Sequence, residues 1–479
     1  MTVHTPAGPA RLHRMVKTLA LILPLAMAGA SAQASEAAMR QAIADPLHRA
    51  APGCVAGRFE EGRLVQFAAA GFADIDKGRP LGRDTLFYGA SLSKQFTALA
   101  AATLIADGKL ALDDDVRRYL PELPRYRAPI TVAMLMHHTS GIRDSLGLLR
   151  MAGMSDVGRA SKQEALQLLF RQTDTAFVPG TRYDYSNGGY LLLAEIVERV
   201  SGMSFAEYAH RAIFAPLGMP NAYFLDDASP RPGTFAHGYM PADTADGAEG
   251  GRFVRRDTFP RFSGSGGLML SMADLERYEA DIEHGHRVFT PEVARILLTP
   301  GRYSDGREVD DGRGLSYGGG LHIGRKGGRR VVRHGGSAEA LKHAYLRLPD
   351  TRQAFAVLCN RGDWKASDRL ARVMAASGVP APGLPDAQPV GLFHSPELDA
   401  DYRITADGAG LTVQVTSPLV EEAQILRFAP KDDGAYHSGA TTIAPTGDPA
   451  RIIVSRGGSG PIAFTRVPAG PAGNESSAP

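Results

Sequence analysis

The chain has 479 residues, with 44% hydrophobic and 22% charged side chains. That balance belongs to folded globular proteins and excludes a disordered or fibrous chain, and the length exceeds one compact core, so more than one domain is expected. A formal charge of only +2 leaves no electrostatic footprint for nucleic acid or for an anionic membrane surface.

The first element reads as a processing segment. Arg11, Arg14 and Lys17 precede the apolar run LALILPLAMAGA, and Ala32 and Ala34 stand in the small-residue pattern of a signal peptidase site. The run is about half the ~20 residues that a membrane span needs. Residues 1–34 are therefore expected to be a cleaved secretory signal, with Met15 as an alternative start. The mature chain is expected to be periplasmic or secreted, with no stable membrane anchor. Cleavage takes away three basic side chains and no acidic ones, moving the formal charge from +2 to −1. Two cysteines remain, Cys54 and Cys359. In an oxidising compartment they could pair, and they read equally well as two buried thiols.

A main domain is expected over 36–378. EAAMRQAIADPLHRA reads as a short helix ending near Pro46, and GCVAGRFEEGRLVQFAAAGFADID as two strands around a turn at Glu60 to Gly62. A helix-rich stretch follows, with KQFTALAAATLIADG, SKQEALQLLFRQ, GGYLLLAEIVERVSG and SFAEYAHRAIF each carrying apolar residues at three-to-four spacing. Residues 229–262 are rich in Pro, Gly, Asp and Arg and read as a long surface excursion. After the helix ADLERYEADI, strands return in YGGGLHIGRK, RRVVRHGG, LKHAYLRLP and QAFAVLCN, and DRLARVMAASG closes the region as a helix. Strands at both ends with helices between imply an α/β (α+β) domain, one mixed sheet built from distant segments with a helical lobe inserted. Residues 379–391 form a proline-rich linker, 392–468 a small all-β unit, and 469–479 a disordered tail.

Three short stretches carry chemistry. In GASLSKQFTA, Ser91 and Lys94 are three apart at a helix start, on one helical face. A serine hydroxyl needs a neighbouring base, and a lysine in a dry cleft loses enough basicity to serve. The same residues also read as a helix capped by Ser91 or Ser93, with Lys94 in solvent. In YDYSNGGY, Tyr185 could relay a proton beside that lysine and Asn187 could orient a substrate carbonyl or Lys94; an ordinary helix-capping turn is the other reading. In VVRHGGSAEA, His334 and Gly336 follow a strand, where the glycines let a substrate lie close to the backbone. The N–H of Ser337 could then share an oxyanion hole with that of Ser91. A second H-x-G at His437 to Gly439 lies in the β unit, with no motif partners in the right order. His137 with His138, and His284 with His286, lack a third ligand at metal spacing, so no metal site is expected. No phosphate loop or dinucleotide fingerprint is present, and no cofactor is expected.

Taken in order, S-x-x-K, Y-x-N and H-x-G resemble the serine β-lactamase and penicillin-binding superfamily. The flanks LFYGASLSKQFTALAAATLI, ITVAMLMHHTSGI, FVPGTRYDYSNGGYLLLAEIVERVSG and GSGGLMLSMADLERY are also similar to it, and the resemblance runs over roughly residues 40–375. It implies a class C-like serine hydrolase, with an antiparallel sheet flanked by helices and a helical lobe. Ser91 would be the acylated nucleophile, Lys94 its base and Tyr185 a proton relay. Asn187, His334, Gly336 and Ser337 would meet the substrate. The third motif departs from the family's usual K-T-G: histidine replaces lysine and glycine replaces threonine, which removes a fixed positive charge and a hydroxyl. The family's DD-peptidases and D-aminopeptidases include H-x-G members, so the resemblance implies a DD-peptidase or D-aminopeptidase-like enzyme whose substrate is a small molecule or short peptide containing a D-amino acid. An esterase or weak β-lactamase would use the same residues, and an inactive relative binding peptidoglycan fragments or a protein is the reading from another class. The resemblance also places the first strand antiparallel to the last, which implies a Cys54–Cys359 disulfide. The C-terminal unit resembles a lipocalin-like β-barrel found in some members.

Overall fold

In the computed structural model the described residues are Met1, 35–48, 50–154, 156–226, 235–242, 252–260, 262–382, 389–407, 410–430, 435–446, 450–456 and 461–467. The expected signal beyond Met1, linker residues 383–388 and the tail at 469–479 lie outside them.

The core is one antiparallel sheet of seven strands. In chain order these are β1 (Cys54–Glu60), β2 (Arg63–Ala70), β3 (Ser316–Tyr317), β4 (His322–Lys326), β5 (Arg329–Ser337), β6 (Lys342–Leu348) and β7 (Gln353–Cys359). Across the sheet they run β3-β4-β5-β6-β7-β1-β2, so the first strand lies beside the last, as expected. The β1–β2 turn needs left-handed backbone at two successive residues, and Glu61 (φ 47°) and Gly62 (φ 74°) supply it.

Side chains alternate between two apolar layers. Val55 and Phe59 of β1, with Ala354, Ala356 and Leu358 of β7, enter the larger core. Cys54 and Ala56, with Phe355, Val357 and Cys359, enter the smaller one. A period of two with both faces apolar is what a sheet covered on both sides requires. The smaller layer is closed by Met39 and Ile43 of the N-terminal helix and by Leu370, Val373 and Met374 of the helix Ala366–Ala376. The larger is closed by the helical lobe, whose centre is α1 (Ser93–Ala106). Every α1 residue from Ser93 to Ala102 is buried, the signature of a helix surrounded by protein rather than lying on its surface.

Cys54 and Cys359 form a disulfide at paired positions of β1 and β7. It closes a loop of 305 residues that contains nearly all of the domain. Replacing both cysteines with alanine is expected to cost about 2–5 kcal/mol, read as a lower guanidinium midpoint.

Two expectations are refined. The excursion contains a strand pair, Tyr239–Pro241 against Phe253–Arg255, fastened to the body by Tyr239 N–H donating to the Asn360 carbonyl (3.0 Å). The C-terminal unit is a closed barrel of eight strands, from Gly391–Ser395 to Pro461–Arg466, so the residue expected to end the linker already opens a strand. Phe393, Ile404, Val413, Phe428, Ile443 and Phe464 fill the barrel interior, which eight strands leave just wide enough for side chains.

Candidate active site

Ser91 lies on a 3₁₀ turn, Ala90–Leu92, that feeds directly into α1. Ala90 is held in left-handed backbone at φ 47°, a conformation that costs a non-glycine residue about 1–2 kcal/mol. Three bonds hold it there. Gly89 N–H donates to the Leu268 carbonyl (2.7 Å). The Ser93 hydroxyl donates to the Ala90 carbonyl (2.6 Å) and accepts from Leu268 N–H (3.1 Å). Neither helix start carries a side-chain cap bond. Ser93 thus does the local work and Ser91 does not, which removes the helix-cap reading of Ser91.

Lys94 is fully buried. Its Nζ reaches Ser91 Oγ at 3.2 Å, Asn187 Oδ1 at 2.8 Å and the Ser265 carbonyl at 2.9 Å. It also lies 4.6 Å from the centre of the Tyr185 ring. Burial lowers its pKa to about 7, against the charge of Asp144, which raises it. The neutral amine has two N–H bonds and one lone pair. The two shorter contacts are to acceptors that can only receive N–H, so the lone pair falls to Ser91, whose hydroxyl can donate.

The Ser265 carbonyl belongs to a glycine-rich segment that sequence reading noted only as a family flank. Gly264 has φ 116° and a Cβ there would meet the Tyr190 carbonyl at 2.6 Å, so only glycine lets this strand of backbone reach the lysine. Thr97 holds the segment by donating to the Gly264 carbonyl (2.7 Å).

Tyr185 and Asn187 come from the turn leading into α2 (Asn187–Ser201), capped by Ser186 accepting from Gly189 N–H (3.1 Å). The capping turn and the chemical motif are therefore one structure. Burial pushes the Tyr185 phenol well above its usual value, with the neighbouring Ser91 hydroxyl working the other way, so it stays protonated at neutral pH. His138, passed over in the sequence as a non-metal histidine, fixes this turn: its Nδ1 accepts from Ser186 N–H (3.1 Å) and its ring lies 4.3 Å from that of Tyr185. Asp144 was also missed. Its Oδ2 accepts from both the backbone N–H and the side-chain amide of Asn187, at 2.9 and 2.7 Å.

His334 is brought to the same cluster but is not open to a ligand. Its Nδ1 faces the Gly335 carbonyl at 2.6 Å and so carries the proton, which leaves Nε2 to accept from the Tyr317 hydroxyl (3.0 Å). Burial holds it neutral, far below the usual histidine range. Gly336 serves a close approach, but to the nucleophile turn rather than to open space: a Cβ would meet the Gly89 carbonyl at 2.4 Å. Ser337 lies at the end of β5. Ala338 N–H donates across to the Leu341 carbonyl, so ladder alternation turns the Ser337 N–H away from β6. On that side β4 stops opposite Arg333, and among the described residues no strand covers the edge. The Ser337 hydroxyl is occupied, accepting from Lys342 Nζ (2.9 Å).

A family model described as beta-lactamase matches residues 22–378. The chain belongs to the beta-lactamase family. Within it, a D-aminopeptidase from Cereibacter sphaeroides is 28% identical over 413 residues, covering 85% of this chain and 74% of the relative. Two solved members share the fold. An octameric penicillin-binding protein homologue from Pyrococcus abyssi has TM-score 0.59 at 21% identity, covering 87% of this chain and 96% of its own. A D-amino acid amidase from Ochrobactrum anthropi SV3, solved with L-phenylalanine amide, has TM-score 0.59 at 22% identity, covering 72% and 98%. As a beta-lactamase-family protein with D-aminopeptidase relatives, the chain is a serine hydrolase.

Proposed function

We propose that this hydrolase cleaves amides or short peptides of D-amino acids through an acyl group on Ser91. The observation that carries the reading is the contact of a buried, weakly basic Lys94 with the Ser91 hydroxyl. Neutral Lys94 takes the hydroxyl proton as Ser91 Oγ attacks the substrate carbonyl. The backbone N–H groups of Ser91 and Ser337 receive the oxyanion. The protonated Tyr185 phenol gives its proton to the departing amine and recovers one from the lysine ammonium. Water, deprotonated by the same lysine, then releases the acyl group. The D-amino acid preference rests on the kinship with D-aminopeptidases. The neutral, fully bonded His334 puts no charge of its own where the family's usual lysine would favour the carboxylate of a β-lactam.

The test is hydrolysis of D-phenylalanine amide and its L enantiomer, with intact-mass measurement after penicillin. Preference for the D form by about tenfold or more, roughly what one well-placed contact achieves, is expected, with any penicilloyl adduct confined to the protein that retains Ser91. Equal rates on both enantiomers would remove the D-specific reading, and fast ester cleavage without amide cleavage would make the protein an esterase. Because the lysine must be neutral, kcat/KM is expected to rise with pH through about 7. A rate flat from pH 5 to 9 contradicts Lys94 as the base.

The disulfide supports a location in an oxidising compartment, periplasmic or extracellular. No helix among the described residues is long and apolar enough to cross a membrane.

A further inference from the structure

Beside Lys94 stands an Asn–Asp pair of which Asn187 belongs to the Y-x-N motif and Asp144 to none. Asp144 is the cap of the helix Ser145–Met151: its Oδ1 accepts from Gly147 N–H at 2.7 Å. Its Oδ2 accepts twice from Asn187, at the backbone N–H (2.9 Å) and at Nδ2 (2.7 Å). With one oxygen on its own helix and the other on two donors of Asn187, the carboxylate cannot rotate.

This fixes which way the Asn187 amide faces. A carboxylate only accepts hydrogen bonds, so the NH₂ end of the amide must point at Asp144 and the oxygen must point away from it. The group on that other side is Lys94 Nζ, 2.8 Å from Oδ1. A flipped amide would set its NH₂ against the lysine's own N–H bonds and force the lone pair off Ser91. We propose that Asp144 is the positioning residue of this site, holding the Asn187 amide with its oxygen on Lys94 so that the lysine's lone pair is kept for Ser91. The inference rests on the reading of Ser91 as nucleophile and adds a fourth member to its apparatus, one that touches neither substrate nor the reacting atoms.

Its charge adds a second effect. The groups facing Lys94 are Ser91, Asn187, the Ser265 carbonyl, the rings of Tyr185 and Tyr190, and the imidazoles of His138 and His334, both held neutral. Among the described residues, Asp144 is the carboxylate whose charge is felt at Lys94, and it raises the lysine's basicity.

The test compares wild type with Asp144→Asn and Asp144→Ser by the pH dependence of kcat and KM on a short-chain p-nitrophenyl ester, with Ser91→Ala and thermal midpoints alongside. Asn and Ser both remain good helix caps, so the fold is expected to survive. Asn has a single acceptor oxygen for the three donors that Asp144 serves, and Ser is too short to reach the Asn187 amide. The expected result is a loss in kcat of about 10–100-fold, the scale of a small misplacement in an active site, with KM little changed. The acid limb is expected to move to lower pH by about one unit, because a negative charge near the lysine is gone. A purely structural role would lower the thermal midpoint and leave the acid limb in place. Folded variants with wild-type kcat and an unmoved limb overturn the proposal, and so does failure of both variants to fold, which would make Asp144 a structural residue. If wild type shows no Ser91-dependent turnover, the nucleophile reading itself falls and takes this inference with it.

Discussion

Ser91→Ala is expected to lower turnover by about 10⁴–10⁶-fold on every substrate the protein accepts, the loss seen when the nucleophile of a serine hydrolase is removed. The size follows from there being no understudy. Ser93, two residues on, is fully buried with its hydroxyl bonded to the Ala90 carbonyl and to Leu268 N–H. The Ser337 hydroxyl is engaged with Lys342. The lone pair of Lys94 faces one hydroxyl, and alanine at 91 leaves it with none. The fold is expected to be untouched, because Ser91 caps no helix. The measurement is a full progress curve on the best substrate together with thermal unfolding. An Ser91→Ala variant within tenfold of wild type would show that the nucleophile is elsewhere.

The second large effect is on stability, which is expected to fall steeply as pH drops below about 6.5. Burial lowers the pKa of His137 and of His343 to about 4, and holds those of His138 and His334 well below the usual value. In the unfolded chain each histidine takes up a proton near pH 6.5, whereas the folded protein keeps all four neutral. Between those values the unfolded state binds more protons, so the stability these histidines contribute is complete above pH 6.5 and is lost as pH falls. Each histidine contributes a slope of about 1.4 kcal/mol per pH unit. Four together rival the whole stability of a typical domain, about 5–15 kcal/mol, within two units. Glu279 and Asp274, whose buried carboxyls are raised, work in the opposite direction, and His322, also lowered by burial, works in the same one. Denaturation at pH 7.5, 6.5, 5.5 and 5.0 checks this, with a slope near four protons expected in the lower half of the range. His343→Gln should reduce the slope by one proton, since Gln can still donate to the Tyr88 carbonyl and accept from Cys359 N–H, as the imidazole does. A flat profile from pH 7.5 to 5 contradicts the buried neutral state of these rings.

What was legible in the sequence divides along physical lines. Ser91 and Lys94 could be paired because helix geometry alone brings residues three apart together. Tyr185 and Asn187 could be added because motif order, though not spacing, carried them. The sheet could be assembled because β1, β2, β5, β6 and β7 are long enough for their apolar pattern to register. Asp144 could not be seen: its partner is 43 residues away, and a lone aspartate after HHTSGIR has no local signature beyond a helix cap. The Ser265 carbonyl was invisible for a plainer reason, since a backbone acceptor leaves no trace in side-chain identity. His334 lies in the cluster, and its setting was hidden because burial neutralises the ring while its two nitrogens are taken up by the next backbone carbonyl and by Tyr317 on β3. In the barrel, the strands Tyr436–Ser438 and Thr441–Pro445 are too short for two-residue periodicity to register, and closure of the barrel rather than local preference makes them strands.

The order of strands in the central sheet also governs the timing of assembly. A chain made or exported from its N-terminus presents β1 early, with β2 on one side, yet the neighbour on its other side, β7, is 305 residues behind. Until residue 359 emerges, β1 shows an open edge at what will become the middle of the sheet, able to pair with any other strand it meets. The turn that carries Ser91 is in the same position, because its close neighbour Gly336 arrives almost as late. The nucleophile is thus translated in the first quarter of the chain and becomes competent only after β7, which ends at residue 359 of 479, has been made. A chain cut short anywhere before β7 is left with an unpaired strand in place of an active site.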